Sequence, residues 1–338
     1  MPRAFHPVTY PASLHRACRL PELPRAGLIA IARWLVTALA LWLVLRSIDI
    51  AAVLDQIGRA APLDLALAGL VVAMQFFLLV WRWQLIIRML GGEAVGLGAL
   101  SVFLGHSLLI GQVLPSSVGG DVARSVMLAR LTGAVAAARS VVCDRLLGFA
   151  GLAVLAVPTL PSIAGRMGGL TPFLTLTIAA LGTIAVVAFV LATPSIIHTV
   201  PWLGRLLATV AGDLRVAFCS GKISLAAAAL GVGSNLLGVL LFYILGSAIG
   251  ADLRAVDCLV IVPPALLASA LPISLGGWGV REGALLAAFS LLRANLAGVA
   301  ATSVMFGLTA PLAGAAVAAS SLFVGWCKLL PKGSRDER

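Results

Sequence analysis

Two stretches of this chain share a pattern that a helix in hydrocarbon would ordinarily avoid. Leu114 to Arg124 reads L-P-S-S-V-G-G-D-V-A-R, and Leu271 to Glu282 reads L-P-I-S-L-G-G-W-G-V-R-E. They align without a gap as L-P-x-S-x-G-G-x-x-x-R at an offset of 271 − 114 = 157, close to half of the 338 residues. Proline removes a backbone donor and clashes with the preceding turn. Glycine gives up more backbone entropy than any other residue. Arginine at membrane depth is costly and is usually there for function. The same costly set placed twice, half a chain apart, points to a transporter site built from interrupted helices in two structural repeats.

The reading depends on the rest of the chain being apolar, and it is: 61% hydrophobic, 11% charged, mean hydropathy +1.08. Soluble domains carry roughly a quarter charged residues, so this composition indicates an integral membrane protein. The net charge of +11 lies between apolar runs. That distribution fits cytoplasmic loops and anionic membrane lipids rather than nucleic acid. The five cysteines are scattered without a C-x-x-C, and the four histidines form no ligand cluster. Neither a disulfide framework nor a metal site is expected. No Ser/His/Asp set, zinc spacing or P-loop is present, so neither an enzyme nor a cofactor is expected.

In chain order, residues 1–25 read as a polar, Pro-rich cytoplasmic N-terminus without order. The apolar run from Ala26 to Leu45 is too long for a signal-peptide core and reads as a first span. Arg46 to Pro62 has the charge pattern of a surface helix. Leu63 to Trp81 is a second span ending in W-R-W-Q-L-I-I-R, a Trp/Arg belt at an interface. Val95 to Leu114 is apolar and meets the first motif. Asp121 to Arg139 is a basic connection, and Ser140 to Leu160 is a span with Asp144 and Arg145 near its start. Leu170 to Ala192 and Ile223 to Ile249 are further spans, joined by the mixed stretch from Pro194 to Lys222. Val256 to Leu271 reaches the second motif, Gly283 to Leu292 is short, and Asn295 to Trp326 is long with Pro311 inside it. The expected fold is an all-α polytopic membrane protein of about six spans and two opposed re-entrant hairpins. Its membrane domain runs over 26–327, in halves of about 26–160 and 161–327, followed by a basic cytoplasmic tail at 328–338.

Arginine and lysine positions select this arrangement. With cytoplasmic termini and re-entrant motifs, six basic residues fall outside (Arg46, Arg59, Arg166, Arg254, Arg281 and Arg293) and Arg33 lies in the first span. The other 24 − 7 = 17 are cytoplasmic. If each motif arm crossed instead, the split would be 9 inside against 14 outside. The halves then enter from opposite sides. Shifting Leu63–Trp81 by 157 lands on 220–238, inside the Ile223 span, so the repeat has inverted topology.

Several residues carry chemistry in this frame. At Gly119, Gly120, Gly276 and Gly277, freed N–H groups and a following helix N-terminus can face an anion. Arg124 and Arg281 add forked donors suited to phosphate. The competing reading is a pair of surface loops with snorkelling arginines. Asp144–Arg145 and Arg281–Glu282 suit either a headgroup pocket or structural ion pairs whose members find partners elsewhere. Asp121 suits either a helix cap or a cationic headgroup. His106, Gln112 and Asn235 suit interhelical hydrogen bonds, and the glycines around Gly231 suit close helix packing.

The blocks L-P-S-S-V-G-G-D-V-A-R, V-V-C-D-R-L-L-G and P-I-S-L-G-G-W-G-V-R-E resemble, in order, the motifs of the lysylphosphatidylglycerol synthase transmembrane-region family, the flippase-like domain proteins. The resemblance covers roughly Arg33 to Trp326. It implies movement of an aminoacylated phospholipid or a glycolipid across the bacterial inner membrane. Bifunctional members carry a soluble aminoacyl-transferase domain after the membrane region, whereas this chain stops at Arg338. The expectation is therefore translocation without synthesis. The partners expected are the lipid substrate and anionic membrane lipids. The sequence leaves the oligomeric state open, with a homodimer compatible. A secondary solute or ion transporter and a non-catalytic subunit of a lipid assembly pathway are the alternatives.

Overall fold

The computed structural model describes residues 60–92, 95–113, 119–159, 221–269 and 277–324, with isolated positions at 55, 58, 212–213 and 215–216. The stretches 1–25, 26–45 and 170–192, most of the expected surface helix at 46–62 and the tail at 328–338 lie outside the described residues. The elements are α1 (Pro62–Met89), α2 (Leu97–Val113), α3 (Gly119–Thr132) and α4 (Ala134–Ala156), the last running into a 3-10 turn at Val157–Thr159. They are followed by α5 (Lys222–Ala248), α6 (Ala255–Ser269), α7 (Val280–Ser290) and α8 (Leu296–Val324). The protein is an all-α, multi-pass membrane protein. Among the described residues, Pro62–Met89, Lys222–Ala248 and Leu296–Ser321 are long and apolar enough to span a bilayer. By contrast, α2 has 17 residues and α6 has 15. At 1.5 Å per residue both fall short of a hydrocarbon core of about 30 Å.

Helix α1 shows how the sequence sets these elements. Pro62 stands in its first turn with Asp64, and Arg88 in its last, each favourable for the helix dipole. Ala68, Val71, Val80, Trp83 and Ile87 recur at helical spacing and are buried. Leu63, Leu70, Met74 and Phe77 point outward as an apolar face, as hydrocarbon requires. The helix continues eight residues past Trp81, where the sequence places an interfacial belt. Trp83 is 0% and Arg82 5% exposed, so both belong to the interior. The reason is that Arg82 is paired with a carboxylate within the protein, as described below. The expected connection from Asp121 to Arg139 is likewise helical, broken only at Gly133. Asp144 accordingly lies 144 − 134 = 10 residues beyond the first residue of α4.

The two halves repeat in their boundaries. Shifting α1 (62–89) by 157 gives 219–246, against 222–248 for α5. The same shift takes α2 (97–113) to 254–270, against 255–269 for α6, and α3 (119–132) to 276–289, against 280–290 for α7. Packing obeys the same exchange. Helix α2 packs on α8 and α6 on α4, α2 on α3 and α6 on α7, and α3 on α4 and α7 on α8. The pair α1 and α5 maps onto itself and forms the largest interface among the described helices.

These two helices run antiparallel. The Ala61 N–H donates to Ala248 O at 2.9 Å, Gln75 Nε2 donates to Ser234 O at 2.9 Å, and Ile86 shares a cluster with Ala227. A Cβ on Gly233 would lie 3.5 Å from Leu78, two residues from Phe76, whose repeat equivalent is 76 + 157 = 233. Equivalent helices crossing antiparallel place a two-fold axis perpendicular to them, which is the geometry of an inverted-topology repeat.

Candidate functional site

Each half carries a pair of short helices folded back on each other. In the first, Gly120 at the start of α3 lies against Ser107 on α2, while Leu128 near the other end packs with Leu100 and Phe103. A Cβ on Gly120 would sit 2.5 Å from Ser107 O, so only glycine allows this approach. In the second, Gly277 faces Ser269, and Leu285 and Phe289 on α7 pack with Cys258, Ile261 and Val262 on α6. Gly276 and the Leu-Pro-x-Ser part of both motifs lie outside the described residues. Gly119 and Gly120 are buried in the first turn of α3.

The first pair feeds a chain of buried charges. Asp144 on α4 accepts Arg82 Nε at 2.8 Å on one carboxylate oxygen and Arg124 Nη1 at 2.9 Å on the other. Arg124 also donates to Asp121, from Nη2 at 2.9 Å and Nε at 3.1 Å. Arg145 Nη1 in turn pairs with the second oxygen of Asp121. The order is Arg82–Asp144–Arg124–Asp121–Arg145, drawn from α1, α3 and α4. Side-chain exposure rises along it, from 6% at Arg82, Asp144 and Arg124 to 16% at Asp121 and 28% at Arg145. Arg124 also lies 4.9 Å over the Trp83 ring, whose Nε1–H donates to Ser140 Oγ at 3.2 Å.

At the far end, Arg82 enters a slot between α4 and α5. A Cβ on Gly148 would stand 3.4 Å from its guanidinium, and one on Gly231 would stand 3.6 Å away. Close helix packing accompanies this slot. A Cβ on Gly151 would lie 3.0 Å from Gly231, and Asn235 Nδ2 donates to Gly148 O at 3.2 Å. The expected interhelical role of Asn235 is therefore seen. His106 bonds Val102 O within its own helix.

The second half repeats the arginine but not its surroundings. Arg281 pairs with the adjacent Glu282, and its Nε reaches Ser303 Oγ at 3.4 Å. The other oxygen of Glu282 accepts the Gly279 N–H at 2.6 Å, so this carboxylate closes the first turn of α7 from within. Arg281 lies 4.9 Å over Trp278 and 5.7 Å over Phe306. Trp278 then reaches across the molecule, its Nε1–H donating to Gln112 Oε1 at 3.2 Å.

The structure thus brings Asp121, Arg124, Asp144 and Arg145 together and holds Arg281 and Glu282 in a second set. The hydrogen bond between Trp278 and Gln112 links the two helix pairs. Asp144 and Arg145 find partners on different elements, whereas Arg281 and Glu282 bond each other. Arg82 is the member that sequence reading places elsewhere. Its signal was the apolar run Leu85–Ile87 beyond it, which continues the helix past the expected interface. Among the described residues, no three His, Cys, Asp or Glu side chains are grouped to hold a metal ion.

The family model for the lysylphosphatidylglycerol synthase TM region matches residues 29–318. Comparison with curated proteins gives no match.

Proposed function

Since the chain belongs to the lysylphosphatidylglycerol synthase TM region family, whose name implies a membrane lipid-related role, we propose that it carries a phosphate-containing phospholipid or glycolipid between the leaflets of the bacterial inner membrane. One observation carries this reading. The chain of charges gathers three guanidiniums, Arg82, Arg124 and Arg145, on two carboxylates and becomes more exposed toward Arg145. Burying charge costs several kcal/mol per ion unless it is paired. A row of guanidiniums beside helix pairs too short to span offers forked donors to a headgroup phosphate. In this mechanism the headgroup phosphate enters at Arg145 and Arg124 while the acyl chains stay in lipid. Arg281 is balanced by Glu282 and orders the second helix pair. Rocking of the halves about the α1–α5 crossing then presents the site to the other leaflet. The chain has no nucleotide-binding motif, so a lipid gradient or ion coupling supplies the drive.

The test is leaflet exchange of labelled phosphatidylglycerol in vesicles containing the purified protein. Exchange well above that of protein-free vesicles is expected, and exchange at the protein-free rate ends the proposal.

Orientation follows from the charge distribution. Removing the buried Arg82 and Arg124 from the cytoplasmic set and Arg281 from the outer set leaves 17 − 2 = 15 against 6 − 1 = 5. Both termini are accordingly assigned to the cytoplasm, and the loop between α5 and α6 to the outside. An Arg254→Cys variant in a cysteine-free background should react with a membrane-impermeant thiol reagent in intact cells. Protection there, with labelling at Lys332→Cys, would reverse the assignment.

A further inference from the structure

We propose that the site excludes a headgroup bearing a fixed cation, so that the cargo's substituent beyond the phosphate is uncharged and not a cationic aminoacyl ester. This rests on the lipid-transport reading above and narrows its substrate class. The family's description supplies the contrary expectation, a lysyl headgroup. A cation crossing at membrane depth needs an anionic acceptor on the way. The chain has 13 acidic residues. Three stand on the helices of the site: Asp121 on α3, Asp144 on α4 and Glu282 on α7. Each is already held. Asp144 takes Arg82 and Arg124 on separate oxygens, and Asp121 takes Arg124 on one oxygen and Arg145 on the other. One oxygen of Glu282 accepts Arg281 Nε at 3.1 Å and Ser303 Oγ at 3.3 Å, and the other accepts the Gly279 N–H at 2.6 Å. The remaining acids open α1 and α6 away from the hairpin turns (Asp64 and Asp257), or lie in connections and terminal stretches. The stretches 26–45, 114–118, 160–211 and 270–276 contain no acidic residue.

An incoming ammonium pairs with one of these three carboxylates only by displacing a guanidinium. The displaced cation is then left uncompensated away from water, which is the costly way to break a buried ion pair. An aromatic face is the other seat for a cation. The rings beside the site already carry guanidiniums. Arg124 lies 4.9 Å over Trp83, Arg145 5.4 Å over Phe149 and Arg281 4.9 Å over Trp278. A hydroxyl-bearing substituent makes no such demand.

The experiment compares three labelled lipids in phosphatidylcholine vesicles holding the intact protein: phosphatidylglycerol, lysylphosphatidylglycerol, and lysylphosphatidylglycerol acetylated on both amines. Leaflet exchange is measured at about pH 6, where the side-chain amine of lysine is fully charged. Acetylation removes the cations and adds bulk, so a faster acetylated lipid reports charge and not size. The expected result is that phosphatidylglycerol and the acetylated lipid exchange at least about tenfold faster than the lysyl lipid, because like charges brought together without water repel strongly. Equal rates for the lysyl lipid and its acetylated form overturn the inference and leave lipid transport standing. Exchange of phosphatidylglycerol with neither aminoacyl form moved also overturns it, since size then decides. If none of the three is moved, the transport reading falls as well. Arg145→Gln removes the guanidinium from one oxygen of Asp121 and should narrow the ratio of acetylated to lysyl rates. An unchanged ratio in a variant that still moves the acetylated lipid overturns the charge account, and the wild-type comparison decides where the variant moves neither.

Discussion

Replacing Asp144 with asparagine should lower the stability of the purified protein by about 3–5 kcal/mol, the size typical of breaking a buried ion pair from one side. The carboxylate accepts Arg82 at 2.8 Å and Arg124 at 2.9 Å, one on each oxygen. An amide keeps one acceptor and loses the charge. Two guanidiniums would then face each other across α1, α3 and α4 with no anion between them. Equilibrium unfolding in mixed micelles, followed by helical circular dichroism, measures the difference. A loss below about 1 kcal/mol, the range of solvent-exposed pairs, would show that water reaches the cluster and screens it. Removing both partners, as Arg82→Met with Asp144→Leu, should recover part of the loss, because no lone charge then stays buried.

Arg124→Ala should act on transport more than on folding. Without it, Asp144 keeps Arg82 and Asp121 keeps Arg145, so neither carboxylate is orphaned. The site loses one positive charge and one guanidinium fork, so its attraction for an anion falls. Leaflet exchange of phosphatidylglycerol should drop by at least about tenfold, corresponding to ~1.4 kcal/mol or more of charge-assisted contact in the rate-limiting state. Arg124→Lys should restore only part of it. An ammonium keeps the charge, but it cannot reach Asp144 and Asp121 with separate donors while lying flat over Trp83. An unchanged rate in the alanine variant would make this arginine a structural strut.

The parts of the fold that the sequence makes legible are those that hydropathy and duplication encode. Helix positions follow the apolar runs. The 157-residue offset is visible because proline, paired glycines and arginine are rare enough in such runs to align by themselves. The site is harder to read because its partners come from different elements. Asp144 lies 20 residues after Arg124 and has no counterpart in the second half, where Ala301 stands. No repeat argument could have joined the two. Arg82 was misplaced for a physical reason. An arginine between two tryptophans at the end of an apolar run looks like an interface anchor, and only the carboxylate facing it in three dimensions keeps it inside. The two arginines match in position, and the pairing of Arg281 with Glu282, one residue away, is visible only in the structure.

The slot that receives Arg82 ties the two halves to one another. One wall is Gly148, from the same half as the cluster, and the other is Gly231, from the opposite half. A methyl group at either glycine would meet the guanidinium at ordinary contact distance, so the two walls are fitted closely to it. Any rotation of one half against the other changes the width of that gap, and Arg82 is bonded to Asp144, which is bonded to Arg124. In the proposed transport cycle, movement of one half against the other would therefore reach the charges at Arg124 through this one side chain.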